Sequence, residues 1–159
     1  MTKSSDIDEF SNCNCTGLRK ASRRLSHLYD ATLASTGVKS TQYSILAEIE
    51  RRGNQRPTVR ELADALVMDR STMGKNLRPI ERDRLIELIP SETDRRVRHV
   101  VLTRHGRARL AEAQVLWRSA QLHFEQSFGP TAAGRLRAVL NAIATSPALA
   151  LPVQSRASE

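Results

Sequence analysis

Three arginines crowd the run Ser91-Glu92-Thr93-Asp94-Arg95-Arg96-Val97-Arg98, between the apolar segments Leu85–Ile89 and His99–Leu102. Like charges this close repel one another and gain nothing from a core, so the pattern points to a polyanion facing them. An arginine at the tip of a short ribbon suits the narrow minor groove of duplex DNA, where the negative potential is strongest. Arg96 is the candidate for that groove and Arg95 and Arg98 for phosphates, with Asp94 placed to brace the Arg96 guanidinium. A second set lies upstream. Arg70, Ser71, Thr72, Lys75, Asn76 and Arg78 share one side of a helical pattern whose other side carries Met73, Leu77 and Ile80. Such side chains can bond base edges or phosphates, and Gly74 among them would let a groove come close. The alternative for both sets is an ordinary solvated surface.

The two cysteines form Cys13-Asn14-Cys15. Residues two apart on a helix point about 200° away from each other, so these thiols should not pair within one helix. With no further cysteine and no ligand-spaced histidines, neither a disulfide scaffold nor a metal site is expected. Cys15 lies three residues before Leu18 on an apolar stripe, with Arg19 near enough to favour a thiolate; the alternative is a small buried hydrophobe. Trp117 and Tyr43 could line a pocket for an aromatic effector or simply fill the core. His27, His99, His105 and His123 form no cluster. No nucleophile–base pair, paired carboxylates or glycine-rich phosphate loop is visible, so neither an enzyme nor a cofactor is expected.

The elements that must position these residues follow from apolar spacing and caps. The chain has 159 residues and a net charge of +8, with 25 Lys+Arg against 17 Asp+Glu and only four lysines. Aromatics are 4%, so the core is aliphatic, and its leucines and alanines favour helices. No apolar run approaches membrane-spanning length and no secretory leader opens the chain, which implies a cytoplasmic protein. A first helix carries Cys15, Leu18, Ala21, Leu25, Leu28 and Leu33 and stops at Gly37. Thr41 caps a second helix that closes at Gly53. Thr58 and Glu61 form a capping box for a third. After a turn at Val67-Met68, Asp69 caps a fourth, which should bend or loosen at Pro79. Leu85–Ile89 and Arg98–Leu102 pair as antiparallel strands. Thr103 caps a long fifth helix to about Ser127, Gly129-Pro130 breaks it, and a sixth runs from Thr131 to before Pro147.

Glu61-Leu62-Ala63, Asp69-Arg70-Ser71-Thr72, Leu85-Ile86, Asp94-Arg95-Arg96 and Val101-Leu102-Thr103-Arg104-His105-Gly106 resemble the MarR (multiple antibiotic resistance regulator) family. The resemblance spans roughly residues 13–145. It implies a winged-helix homodimer that binds a palindromic operator, usually as a repressor released by a small ligand or oxidant. Arg84 stands where members commonly have glycine. Cys15, Tyr29 and Tyr43 also resemble the thiol-switch branch of the family, the organic hydroperoxide resistance regulators. There tyrosines hydrogen-bond an N-terminal cysteine whose oxidation to sulfenic acid releases DNA; Arg19 stands where that branch has a further tyrosine.

The expected fold is therefore mainly α with a small β-wing: a winged helix-turn-helix domain plus a helical dimerisation layer. Residues 12–36 form an N-terminal dimerisation helix, 40–103 the DNA-binding domain and 104–146 the C-terminal dimerisation helices, with loose tails at 1–11 and 147–159. The expected partners are double-stranded DNA, a second copy of the chain and a small aromatic or oxidant effector, with no membrane. A winged-helix module for protein–protein contact is the rival reading.

Overall fold

Most helices here begin where a side chain takes up amide hydrogens that the first turn leaves free. The computed structural model describes residues 12–94 and 96–150. They fall into two units, one running to Ala120 and the other from Gln121.

In the first unit, α1 (Asn14–Leu33) is capped by Cys13, whose Sγ accepts the Thr16 amide at 3.5 Å. A 3-10 turn (Ala34–Thr36) ends it at Gly37, which takes φ 70° as a left-handed residue should. The apolar stripe anticipated on this helix is buried only at Leu33, while Cys15, Leu18 and Ala21 are exposed. Helix α2 (Ser40–Arg51) is capped at Lys39 rather than Thr41. The reason is that two other side chains already serve these donors: Gln42 Oε1 accepts the Lys39 amide (2.9 Å) and Asp30 Oδ1 accepts that of Ser40 (2.7 Å). Partial burial opposes the Asp30 charge, but hydrogen bonding from Ser40 outweighs it and holds the carboxyl below its ordinary value.

Helix α3 (Val59–Ala65) opens with the anticipated box. Thr58 N–H donates to Glu61 Oε2 at 2.7 Å, and Glu61 N–H to Thr58 Oγ1 at 3.2 Å. Hydrogen bonding from Thr58 lowers the pKa of Glu61. Helix α4 (Arg70–Arg82) is capped by Asp69, whose Oδ1 accepts the Thr72 amide at 2.8 Å, and it continues through Pro79. Strands β1 (Ile86–Pro90) and β2 (Arg98–Leu102) pair antiparallel, Ile86 opposite Leu102 and Pro90 opposite Arg98. β1 begins one residue later than the apolar run because the Leu85 amide is held by the Ile80 carbonyl (3.0 Å). Towards its tip the ribbon has an added bridge, Thr58 to His99, and His99 Nδ1 lies 2.7 Å from the Arg56 carbonyl oxygen.

Helix α5 (Arg104–Phe128) grows from a tight junction. Thr103 Oγ1 donates to the Arg84 carbonyl (2.7 Å) and accepts the Gly106 amide (2.9 Å). A β-carbon at Gly106 would fall inside the Leu85 carbonyl, so only glycine fits there. Leu33, Ile45, Leu46, Leu62, Met73, Ile80, Ile86 and Val100 are the largest fully buried side chains, drawn from α1 to β2. Each such burial stabilises by about 1.5–3 kcal/mol.

The second unit holds the end of α5, Gly129 at φ 82° and α6 (Pro130–Thr145), which starts at Pro130 rather than Thr131. Proline suits that first position because its missing N–H has no helical partner there. Arg137 bonds Glu125 at 2.8 Å, and the Phe124 and Phe128 rings meet at 4.8 Å. Leu122, Phe128, Leu136, Val139 and Ile143 are exposed. Residues 147–149, expected as tail, form a 3-10 turn; 1–11 and 151–159 lie outside the described residues.

Two non-glycine residues take left-handed backbone, Val67 at φ 51° and Arg84 at φ 57°. That conformation costs a residue with a β-carbon about 1–2 kcal/mol, and glycine's larger entropy loss on folding cancels about 0.5–1 kcal/mol of any relief. Arg84→Gly should therefore raise unfolding free energy by about 0.5–1 kcal/mol in urea denaturation. A loss of stability would show that the arginine side chain contributes more than its backbone costs.

Candidate nucleic-acid interface

The surface that the sequence singles out is built on the back of a packed helix. Met73, Leu77 and Ile80 pin α4 to the core, which leaves the opposite side outward. Arg70, Ser71, Thr72, Lys75 and Arg78 are exposed, and Asn76 is half-buried. They are not equivalent. The Thr72 hydroxyl donates to Asp69 and the Asn76 amide folds back onto the Thr72 carbonyl (2.9 Å), so both are partly committed to the helix itself. Ser71, Lys75 and Arg78 follow one another at helical spacing down a single strip. Arg82 continues that strip; sequence reasoning passed over it, although the same spacing marks it. Asp83 holds Arg82 at 3.0 Å.

Apart from Asp83, the nearby carboxylates are occupied in ways that leave Arg70, Lys75 and Arg78 available. Asp69 is bonded to Thr72, whose hydroxyl and amide lower its pKa. Glu61 is taken by Thr58.

In the wing, Asp94 acts differently from expectation. Its Oδ1 accepts the backbone amide of Arg96 at 2.9 Å, and its carbonyl accepts the Val97 amide at 2.9 Å. The carboxylate therefore shapes the turn rather than bracing the Arg96 guanidinium. The Ser91 amide closes the loop onto the Val97 carbonyl at 2.9 Å. Arg96 and Arg98 are exposed. Arg95 lies outside the described residues.

The remaining candidates separate into two places. Trp117 stacks on Tyr43 with centroids 5.7 Å apart and planes at 15°, and Tyr29 meets its ring at 6.5 Å. Tyr43 is buried, and burial raises its phenol pKa. Cys15 is exposed in the first turn of α1. Tyr29 stands on the same helix fourteen residues later, which is about 21 Å at 1.5 Å per residue. Within one chain the structure does not bring that thiol to the tyrosines. Cys13 accepts a hydrogen bond from the Thr16 amide at the helix start, and hydrogen bonding from Thr16 lowers its pKa. Sequence reasoning missed it as a cap because cysteine is not a usual capping residue.

Among the described residues no group of His, Cys, Asp and Glu could hold a metal ion, and no helix is long and apolar enough to cross a membrane.

Comparison with known proteins agrees with this geometry. A family model described as MarR family matches residues 36–97. The chain is 33% identical to the transcriptional regulator MosR of M. tuberculosis, solved in complex with DNA. That alignment covers 84% of this chain and 94% of MosR, at a TM-score of 0.75. It is 26% identical to a transcriptional repressor, CouR, bound to a 23-mer DNA duplex, over 86% of this chain and 95% of that one, at a TM-score of 0.77. A CouR from Rhodococcus jostii RHA1 bound to p-coumaroyl-CoA shares the fold at 18% identity and a TM-score of 0.73, over 86% and 95% of the two chains. No curated protein sequence matches the chain.

Gly74 provides a test of the α4 face. Nothing lies within 4 Å of where its β-carbon would be, so alanine fits the free protein and should stabilise the helix by about 1 kcal/mol. If a groove closes over this face, Gly74→Ala should melt higher yet bind duplex more weakly. Tighter folding with undiminished binding would remove Gly74 from the interface.

Proposed function

The chain belongs to the MarR family of DNA-binding transcriptional regulators, and on that footing we propose that it is a homodimeric repressor of a palindromic operator, released by a small ligand. The observation that carries this reading is the exposed strip of α4 beside a wing whose Asp94 leaves the Arg96 guanidinium unbraced. In this reading Arg70, Ser71, Lys75 and Arg78 enter the major groove and Arg96 reaches the flanking minor groove. Arg95 and Arg98 meet phosphates, and two-fold symmetry sets the half-sites one turn apart, roughly 34–36 Å. Residues 40–103 are the DNA-binding domain, and 12–36 and 104–146 make the dimer. Exposed Leu18, Leu122, Phe128, Leu136, Val139 and Ile143 support that assignment, because apolar surface of this kind gains most from a second copy. An effector near Tyr29, Tyr43 and Trp117 would act by changing the separation of the two reading heads. The cytoplasm is the compartment this role requires.

The test is a titration of the purified protein against a duplex from its own upstream region at several salt concentrations, with its mass measured by sedimentation. We expect a dimer, steep salt dependence, and weaker binding by Arg96→Ala at equal stability. A monomer that binds unrelated duplexes equally well would overturn the reading.

A second reading, release by an oxidant, is favoured by one observation, the lowered pKa of Cys13 at the helix cap. A thiolate there would attack the distal peroxide oxygen, giving a sulfenic acid and an alcohol. Organic hydroperoxide should then release DNA from wild type but not from Cys13→Ser. Release lost instead in Cys15→Ser would return the role to Cys15, and release kept in both variants would end the thiol reading.

A further inference from the structure

We propose that Arg60 is a further anchor on DNA, taking a backbone phosphate of the duplex at the mouth of a cleft it shares with Arg70, Arg96 and Arg98. This deepens the DNA-binding reading and rests on it. These four arginines line one cleft of about 450 Å³ between the start of α3, the start of α4 and the wing, over an apolar floor that includes Val59 and Leu88. Among the described residues no carboxylate lines it. Four arginines lining one cavity make a site for an anion, and the planar guanidinium fork matches phosphate oxygens in pairs. The apolar floor raises the strength of such contacts by excluding water from one side.

Arg60 is free to take part. Its ion pair with Asp64 is long at 3.8 Å with side chains 86% and 72% exposed, and such a surface pair restrains little. Glu61, the acid next to it in sequence, is already held by the Thr58 amide and hydroxyl at 2.7 and 2.8 Å. The occupant is the DNA backbone rather than a free phosphate, because the cleft lies between the two elements that would enter adjacent grooves, where the strand joining those grooves must pass.

The experiment compares wild type, Arg60→Gln, Arg60→Lys and Asp64→Ala on one upstream duplex and one unrelated duplex, between 50 and 200 mM salt, with melting curves for each. One phosphate contact contributes about 0.9 to the slope of log K against log salt, so the deficit of Arg60→Gln should shrink about threefold across that range. The deficit should be equal on both duplexes, since a phosphate carries no sequence information. Arg60→Lys should recover part of the loss, and Asp64→Ala should bind at least as well as wild type. If wild type binds steeply and Arg60→Gln keeps the full slope, the inference fails while the DNA-binding reading stands. If wild type itself shows no salt-steep binding, the reading beneath it fails. A melting shift with inorganic phosphate that vanishes in Arg60→Gln, alongside an unchanged DNA slope, would make the cleft a free-anion site and overturn the proposal.

Discussion

Where the turn after α4 meets the start of α5, one threonine hydroxyl and one glycine hold two distant parts of the chain together. Thr103 gives its amide to the Leu85 carbonyl and its hydroxyl to that of Arg84, while Gly106 lies directly against Leu85. Both strands of the ribbon are thus fastened at its base, where α4 ends. This junction, with the bridge from Thr58 to His99, ties the ribbon to the helices that carry the outward face of α4. Even the strained backbone of Arg84 belongs to it, since that residue's carbonyl is one of the acceptors.

A second theme is how the acids are used. Around the basic surface, Asp69, Glu61 and Asp94 all accept main-chain amides. A carboxylate spent in this way orders local backbone and is unavailable to neutralise a guanidinium. The positive face is therefore not merely an excess of arginine but a consequence of where the negative partners are tied down. The ion pairs with more buried carboxylates lie elsewhere, Arg51 and Arg52 on Glu48 of α2, whereas those on the basic surface, Arg60–Asp64 and Arg82–Asp83, are solvent-exposed.

Local chemistry was the most readable part of the chain. The Thr58–Glu61 box, the Asp69 cap, the glycine stops at 37, 53 and 129, and the Arg98–Leu102 strand all follow from interactions within a few residues, and the structure has them. Where a distant residue intervened, the reading slipped. Thr41 lost its capping role because Asp30, ten residues before Ser40, had already supplied an acceptor. Asp94 bonds an amide rather than a side chain, and spacing cannot distinguish the two. Cys15 and Tyr29 looked like partners by type, yet a straight helix separates them. Arg60 is invisible as a site residue until the wing is folded beside it, because its neighbours in the cleft come from three elements.

The chain has a single tryptophan, and it sits where three helices meet: Tyr29 from α1 and Tyr43 from α2 flank Trp117 of α5. Ultraviolet emission from the whole molecule therefore originates largely at one joint, with tyrosines close enough to pass their excitation to the indole. Any rearrangement that parts those rings would register as a change in colour or intensity without a label. The aromatic poverty of the sequence thus gives this fold a native optical gauge at its helical crossing.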